Sequence, residues 1–122
     1  MSEGIYSFKD LGVWQKSFQL AKDVYVFSNK LPVAERWGLV SQMQRCAVSI
    51  PSNIAEGQQR NNPKEFLQFI GISKGSAAEL ETQILLSSQI YQIEANDILS
   101  ELVIIQKMLS SLSRSIRAKT NY

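Results

Sequence analysis

The stretch RCAVSIPSNIAEGQQR, residues 45–60, carries helical periodicity with a proline at its centre. Val40, Met43, Ala47, Ile50 and Ile54 recur at three- and four-residue steps, which lines one face of a helix. Pro51 cannot donate to the carbonyl of Ala47 and its ring crowds that carbonyl, so the second helix is expected to kink there. The alternative ends the helix at Ile50 and starts a new turn at Pro51. Ser49, Ser52 and Asn53 surround the break with short polar side chains able to satisfy freed backbone groups. Gly57, suited to a left-handed C-terminal position, is expected to end the helix.

Outward from this segment the same period recurs. Leu11, Trp14, Phe18, Ala21 and Tyr25 form an apolar stripe, with Ser7 and Asp10 offering a capping box and Leu31-Pro32 a stop. In RNNPKEF, residues 60–66, Asn62 can cap, Pro63 suits the first helical position and Glu65 can close the box. Phe66, Ile70, Ser73, Ala77, Leu80 and Ile84 follow as a third stripe. After Asn96 or Asp97 as cap, Ile98, Leu102, Ile105, Leu109, Leu112 and Ile116 make a fourth. No alternating β-branched run bounded by turn residues is present. The expectation is an all-α, up-down-up-down antiparallel four-helix bundle, one domain over 1–122, with helices at about 8–30, 34–58, 63–91 and 96–117. Gly71 and Gly75 thin out the third helix, and each costs about 0.5–1 kcal/mol relative to alanine. Close approach of another helix is expected there, and a dimer through that face is the alternative assembly.

The chain has 122 residues, 44% hydrophobic and 20% charged, with a net charge of +2. That is enough to bury a core without disulfides, and a nucleic-acid partner is permitted but not demanded. Histidine is absent, which removes the commonest general base and transition-metal ligand. The single cysteine, Cys46, reads as a buried structural thiol rather than a nucleophile. No intrachain disulfide is possible, so a reducing cytoplasm fits. The opening MSEGIYSFKD lacks a basic region followed by an apolar run, and no segment approaches the roughly 18 apolar residues of a membrane span. No cofactor is expected, and no catalytic or metal-binding constellation is found.

A second, polar periodicity runs through Gln42, Arg45, Ser49, Ser52 and Glu56, with a counterpart in Ser76, Glu79 and Gln83 and with Lys74 and Glu81 nearby. One reading is a solvated face; the other is a partly buried network in which Arg45 pairs with Glu79 or Glu56. Beyond Gln106 the chain carries Lys107, Arg114, Arg117 and Lys119 and no acidic residue. Such segregation complements a helix dipole or forms a phosphate-binding surface. Aromatic stacking on bases is discounted, because Trp14, Phe18 and Tyr25 are assigned to the core; Trp37 is expected at a subunit contact.

SIPSNIAEG, preceded by RCAV and followed downstream by KGSAAELETQ, resembles the four-helix-bundle family of proteins encoded within 23S ribosomal RNA intervening sequences. DLGVWQKSFQLAKDVYVFSNKLP, residues 10–32, matches that family's opening helix, so the resemblance covers roughly residues 8–112. The family in turn resembles the accessory variability protein of diversity-generating retroelements. The resemblance implies a non-enzymatic homopentamer, with RNA or DNA as a partner and a protein client such as a reverse transcriptase. It carries Arg45, Ser49, Pro51, Ser52, Asn53, Glu56, Gly57, Lys74, Gly75, Ser76, Glu79 and Glu81 as structural or assembly residues. A ring of five such chains would total about +10, enough to attract a polyanion. Arg36, Arg60, Lys64, Lys107, Arg114, Arg117 and Lys119 are the candidate phosphate contacts. The competing function is a protein-interaction bundle without nucleic acid. An enzyme of the carboxylate-metal type would need Glu-x-x-His pairs that the sequence lacks.

Overall fold

The computed structural model describes residues 7–120; residues 1–6 and 121–122 of the domain assigned from sequence lie outside the described residues. Four helices follow in order: α1 Gly12–Ser28, α2 Leu39–Gln59, α3 Pro63–Tyr91 and α4 Asn96–Thr120. Each packs on two neighbours, α1 on α2 and α4, α3 on α2 and α4, with the α2–α3 seam the most extensive. Across that seam Gln42 meets Gln83, Cys46 meets Glu79, Ser49 meets Ser76 and Ile50 meets Ser73, so the two helices run antiparallel. Their apolar faces close on one core that includes Leu20, Met43, Ile50, Ile70, Leu80, Leu102 and Leu109, all fully buried. No helix among the described residues is long and apolar enough to cross a membrane.

The stripes of α2, α3 and α4 face inward as their periodicity predicts, but that of α1 does not. Its buried row is Val13, Ser17, Leu20, Val24 and Phe27, one residue out of step with the aromatic stripe. Phe18 and Tyr25 are 48% and 47% exposed, and Trp14 is half-buried. The reason lies in two serines. Ser17 and Ser28 turn their hydroxyls back onto the carbonyls of Trp14 and Tyr25, at 3.1 and 2.9 Å, so small polar residues satisfy themselves inside the core. In sequence they make the true inner face look polar.

The expected capping box of Ser7 and Asp10 forms, but it closes a 3-10 turn over Phe8–Asp10, and extended Leu11 separates that turn from α1. A second 3-10 turn, Val33–Glu35, fills the connection to α2. α2 runs without interruption through Pro51, so the alternative of a helix ending at Ile50 falls. Around the proline the Ser73 hydroxyl donates to the Ile50 carbonyl at 2.9 Å and the Asn53 amide to the Ser49 carbonyl at 2.8 Å. Ser52 is exposed.

Gly57 does not end α2. It is helical, and the left-handed position falls at Asn61, with φ 55°. A Cβ on Gly57 would stand 2.7 Å from Cβ of Phe69 and 2.9 Å from Cδ1 of Phe66, so this is the glycine at which α2 and α3 nearly touch. Gly71 and Gly75 are exposed and a Cβ on either meets nothing within 4 Å, which overturns the close approach expected there.

Asn62 caps α3, its side chain accepting from the Glu65 amide at 3.0 Å; the Glu65 carboxylate is turned to Arg60 instead of closing the box. Neither Asn96 nor Asp97 caps α4. Asn96 is its first residue, and the Glu94 carboxylate accepts from the Asn96 amide at 2.6 Å.

Candidate functional site

The two polar lines meet along the α2–α3 seam in an open cavity of about 290 Å³ lined by Gln42, Arg45, Cys46, Ser49, Ser76, Glu79 and Gln83. Ser49 and Ser76 share a hydrogen bond of 2.8 Å, and Asn53 donates to Ser49 Oγ at 2.9 Å. The Cys46 thiol points at Glu79 Oε1 from 3.9 Å, and Gln83 Nε2 donates to Gln42 Oε1 at 3.5 Å. The two readings divide the line: Ser49, Ser76 and Gln83 form a partly buried network, while Gln42, Arg45, Ser52, Glu56 and Glu79 are exposed as on a solvated face. Its expected ion pair does not form: Arg45 contacts only the Ser41 hydroxyl, at 3.4 Å, and Glu56 pairs with Arg60 at 2.9 Å. Glu56 lies eleven residues, about three turns, along α2 from Arg45, out of its reach, and pairs with Arg60 one turn further on. Glu81 leaves the line as well, accepting from Gln106 of α4 at 3.1 Å, while Lys74 and Gly75 stand exposed.

Cys46 is half-buried on the cavity wall rather than enclosed in the core. Burial pushes its thiol up from the ordinary value, against an opposing hydrogen bond from Gln83. It is a protonated thiol, not a poised nucleophile.

The candidate phosphate contacts are scattered over three regions. Lys107 and Arg114 share a shallow groove of about 320 Å³ on the outer face of α4, and Arg117 is exposed beyond them. Lys119 lies against the α2–α3 turn at Asn61, Asn62 and Pro63, near exposed Lys64. Arg60, at that same end, is engaged: it binds Glu56 at 2.9 Å and Glu65 at 3.4 Å and lies 5.0 Å over the Phe69 ring. Arg36 stands at the opposite end of the bundle, in a groove of about 610 Å³ with Tyr25, Trp37 and Arg45.

The aromatic stripe of α1, displaced from the core, builds a surface that periodicity misassigned. Phe8, Trp14, Phe18, Ala21 and Tyr25 face Val48, Pro51 and Ala55 of α2 across a groove of about 520 Å³. Trp14 stacks on Phe18 at 4.9 Å between ring centres and takes Phe8 edge-on at 5.3 Å. Trp37 is 86% exposed at the upper end. Val48 and Ala55 went unnoticed, although their spacing from Pro51 places them on one outer face of α2.

A family model described as 23S rRNA-intervening sequence protein matches residues 9–111. The chain belongs to that family. No curated protein matches it. The match spans α1, α2, α3 and α4 as far as Ser111, with the residues of the α2–α3 groove, and stops before Arg114, Arg117 and Lys119.

One carboxyl in this member of the 23S rRNA-intervening sequence protein family titrates abnormally. Glu101 of α4 is pushed from 4.5 up to about 7, first by burial, then by the hydrogen bond and negative charge of Asp23 on α1 and by Asp97, with Lys16 opposing. The folded chain therefore holds a proton that the unfolded chain releases, and stability falls as pH rises from about 4.5 through about 7. Glu101→Gln is expected to raise unfolding free energy at pH 8 by about 1 kcal/mol after solvent screening, and to flatten the pH dependence between about 5 and 8. Urea midpoints across that range check it. An unchanged slope would mean that the two carboxyls do not meet.

Proposed function

We propose that the protein is a non-enzymatic, self-associating bundle, pentameric, that binds nucleic acid, RNA first, as a cytoplasmic adaptor for a protein client such as a reverse transcriptase. The observation that carries the nucleic-acid part is the end of α4. Lys107, Arg114, Arg117 and Lys119 are all exposed, and none forms an ion pair among the described residues, where both such pairs belong to Arg60. Unpaired cations on one helix are free to displace counterions from a phosphate backbone. Five copies would multiply a net charge of +2 into about +10. The outer α1–α2 groove supports self-association, because exposed aromatic rings in one contiguous apolar surface mark contact sites.

Light scattering coupled to size exclusion at low and high salt tests this reading. A mass of about five protomers, with copurified nucleic acid shed as salt rises, is the expected result. A monomer or dimer that carries no nucleic acid would reject it. Phe18→Glu is expected to release monomers with unchanged helical circular dichroism, since the half-exposed ring contributes little to the isolated core. Persistence of the assembly in that variant would remove the groove from the interface. The same apolar groove favours the second reading, recruitment of a protein partner alone, which a clean oligomer free of nucleic acid at every salt concentration would select.

A further inference from the structure

Base stacking was discounted because the rings of α1 were assigned to the core, and for Tyr25 that ground falls. Tyr25 is 47% exposed at the upper end of α1, where it lines a groove of about 610 Å³ together with Trp37, which is 86% exposed. Trp37 stands in the turn that leads into α2. An indole left in water forgoes the burial for which so large an apolar ring is suited, and so marks a contact surface.

Two arginines flank these rings. Arg36 precedes Trp37 in the same turn and Arg45 projects from α2, both exposed and both lining the groove. Neither forms an ion pair among the described residues, and no carboxylate lines the groove. Glu35, next to Arg36 in sequence, is committed elsewhere: its carboxylate accepts from the Tyr91 hydroxyl and from the Leu39 amide. Flat apolar faces therefore stand beside positive charge, with nothing acidic among them to oppose an anion. Tyr25 and Val48 also line the aromatic groove below, but that groove holds no arginine.

Tryptophan, tyrosine and arginine suit protein contacts as well, so the charge decides. A single nucleic-acid strand repeats one phosphate and one free base face per nucleotide, and an aromatic ring beside a guanidinium meets both. Arginine adds a plane that itself stacks on bases, where lysine offers a point charge. A duplex keeps its base faces inside its own stack and presents mainly phosphates and groove edges.

We propose that the upper α1–α2 groove is a stacking site for unpaired bases of single-stranded RNA, with Trp37 and Tyr25 as platforms and Arg36 and Arg45 on the flanking phosphates. This rests on the nucleic-acid reading, adds a contact region apart from the cations of α4, and selects the single strand.

Fluorescence anisotropy on the full-length protein tests it, with a twelve-nucleotide RNA of repeated CUA, alone and annealed to its complement. Trp37→Ala alters an exposed turn residue and leaves the core as it is. It is expected to lower affinity for the single strand about tenfold, within the range of one base–aromatic stack, with the salt slope and duplex binding unchanged. Arg36→Gln with Arg45→Gln should instead lower the slope on the single strand by about 1.4. A Trp37→Ala protein that binds the single strand as the parent does overturns the stacking site and leaves nucleic-acid binding standing; an equal loss on strand and duplex does the same. A parent that binds neither form overturns the nucleic-acid reading and the groove with it. Light scattering separates the other use of an exposed indole: a Trp37→Ala assembly of lower mass would assign the ring to a contact between copies, and that also overturns the proposal.

Discussion

Gly57→Ala is expected to destabilise the protein by about 1–2 kcal/mol, although alanine is the better helix former. Two effects oppose. Replacing a helical glycine reduces the freedom of the unfolded chain and contributes about 0.5–1 kcal/mol in favour of folding. Against it, the new methyl would lie 2.7 Å from Cβ of Phe69, an atom fixed to the α3 backbone, and 2.9 Å from Cδ1 of Phe66. Overfilling a packed seam costs about 1–3 kcal/mol, and the Phe69 contact is relieved only by moving a helix. The steric cost wins. Gly71→Ala and Gly75→Ala supply the control: both sites are open, so each should stabilise by about 0.5–1 kcal/mol. Urea unfolding monitored by circular dichroism measures all three. Phe66→Leu should recover part of the loss in the Gly57→Ala background, because the Phe66 ring can be trimmed and the Phe69 Cβ cannot. A Gly57→Ala protein as stable as the parent would show that α2 and α3 part without cost.

These glycines also mark where sequence reading stops. Periodicity located α2, α3 and α4 and their inner faces, because in those helices the apolar row is also the larger one. In α1 it selected the bulkier row, Trp14, Phe18 and Tyr25, over Val13, Ser17, Leu20 and Val24. Nothing local says that Ser17 and Ser28 will satisfy their hydroxyls on their own helix and go inside. The close approach at Gly57 likewise depends on Phe66 and Phe69, which belong to another helix. The polar lines of α2 and α3 were legible as lines, and their meeting in one cavity follows from antiparallel packing. Glu56 and Arg60 meet through their own four-residue spacing, whereas the meetings of Cys46 with Glu79 and of Gln42 with Gln83 depend on how α3 sits against α2, which no local spacing gives. Charge could be counted along the chain, yet only the fold separates engaged Arg60 from the free cations of α4.

That separation leads to the largest effect expected on binding. Replacing Lys107, Arg114, Arg117 and Lys119 together by glutamine should lower affinity for single-stranded RNA at least about a hundredfold at low salt. It should also reduce the slope of log affinity against log salt by about 0.7 for each phosphate that no longer meets a cation. The competing account of these charges is the helix dipole, which acts only within the last turn. The two accounts divide the residues differently. Arg117 and Lys119 lie in the last turn of α4 and can serve both roles, whereas Lys107 and Arg114 lie too far back for the dipole and share the outer groove. Lys107→Gln with Arg114→Gln should therefore leave unfolding unchanged while lowering the salt slope by about 1.4. Arg60→Gln should leave the slope as it was, because its guanidinium is already engaged by Glu56, Glu65 and the Phe69 ring. Filter binding across a salt series gives the slopes. If the Lys107 and Arg114 pair is silent and Arg60 is not, the phosphate path runs over the α2–α3 turn beside Lys64 and Lys119, not along α4.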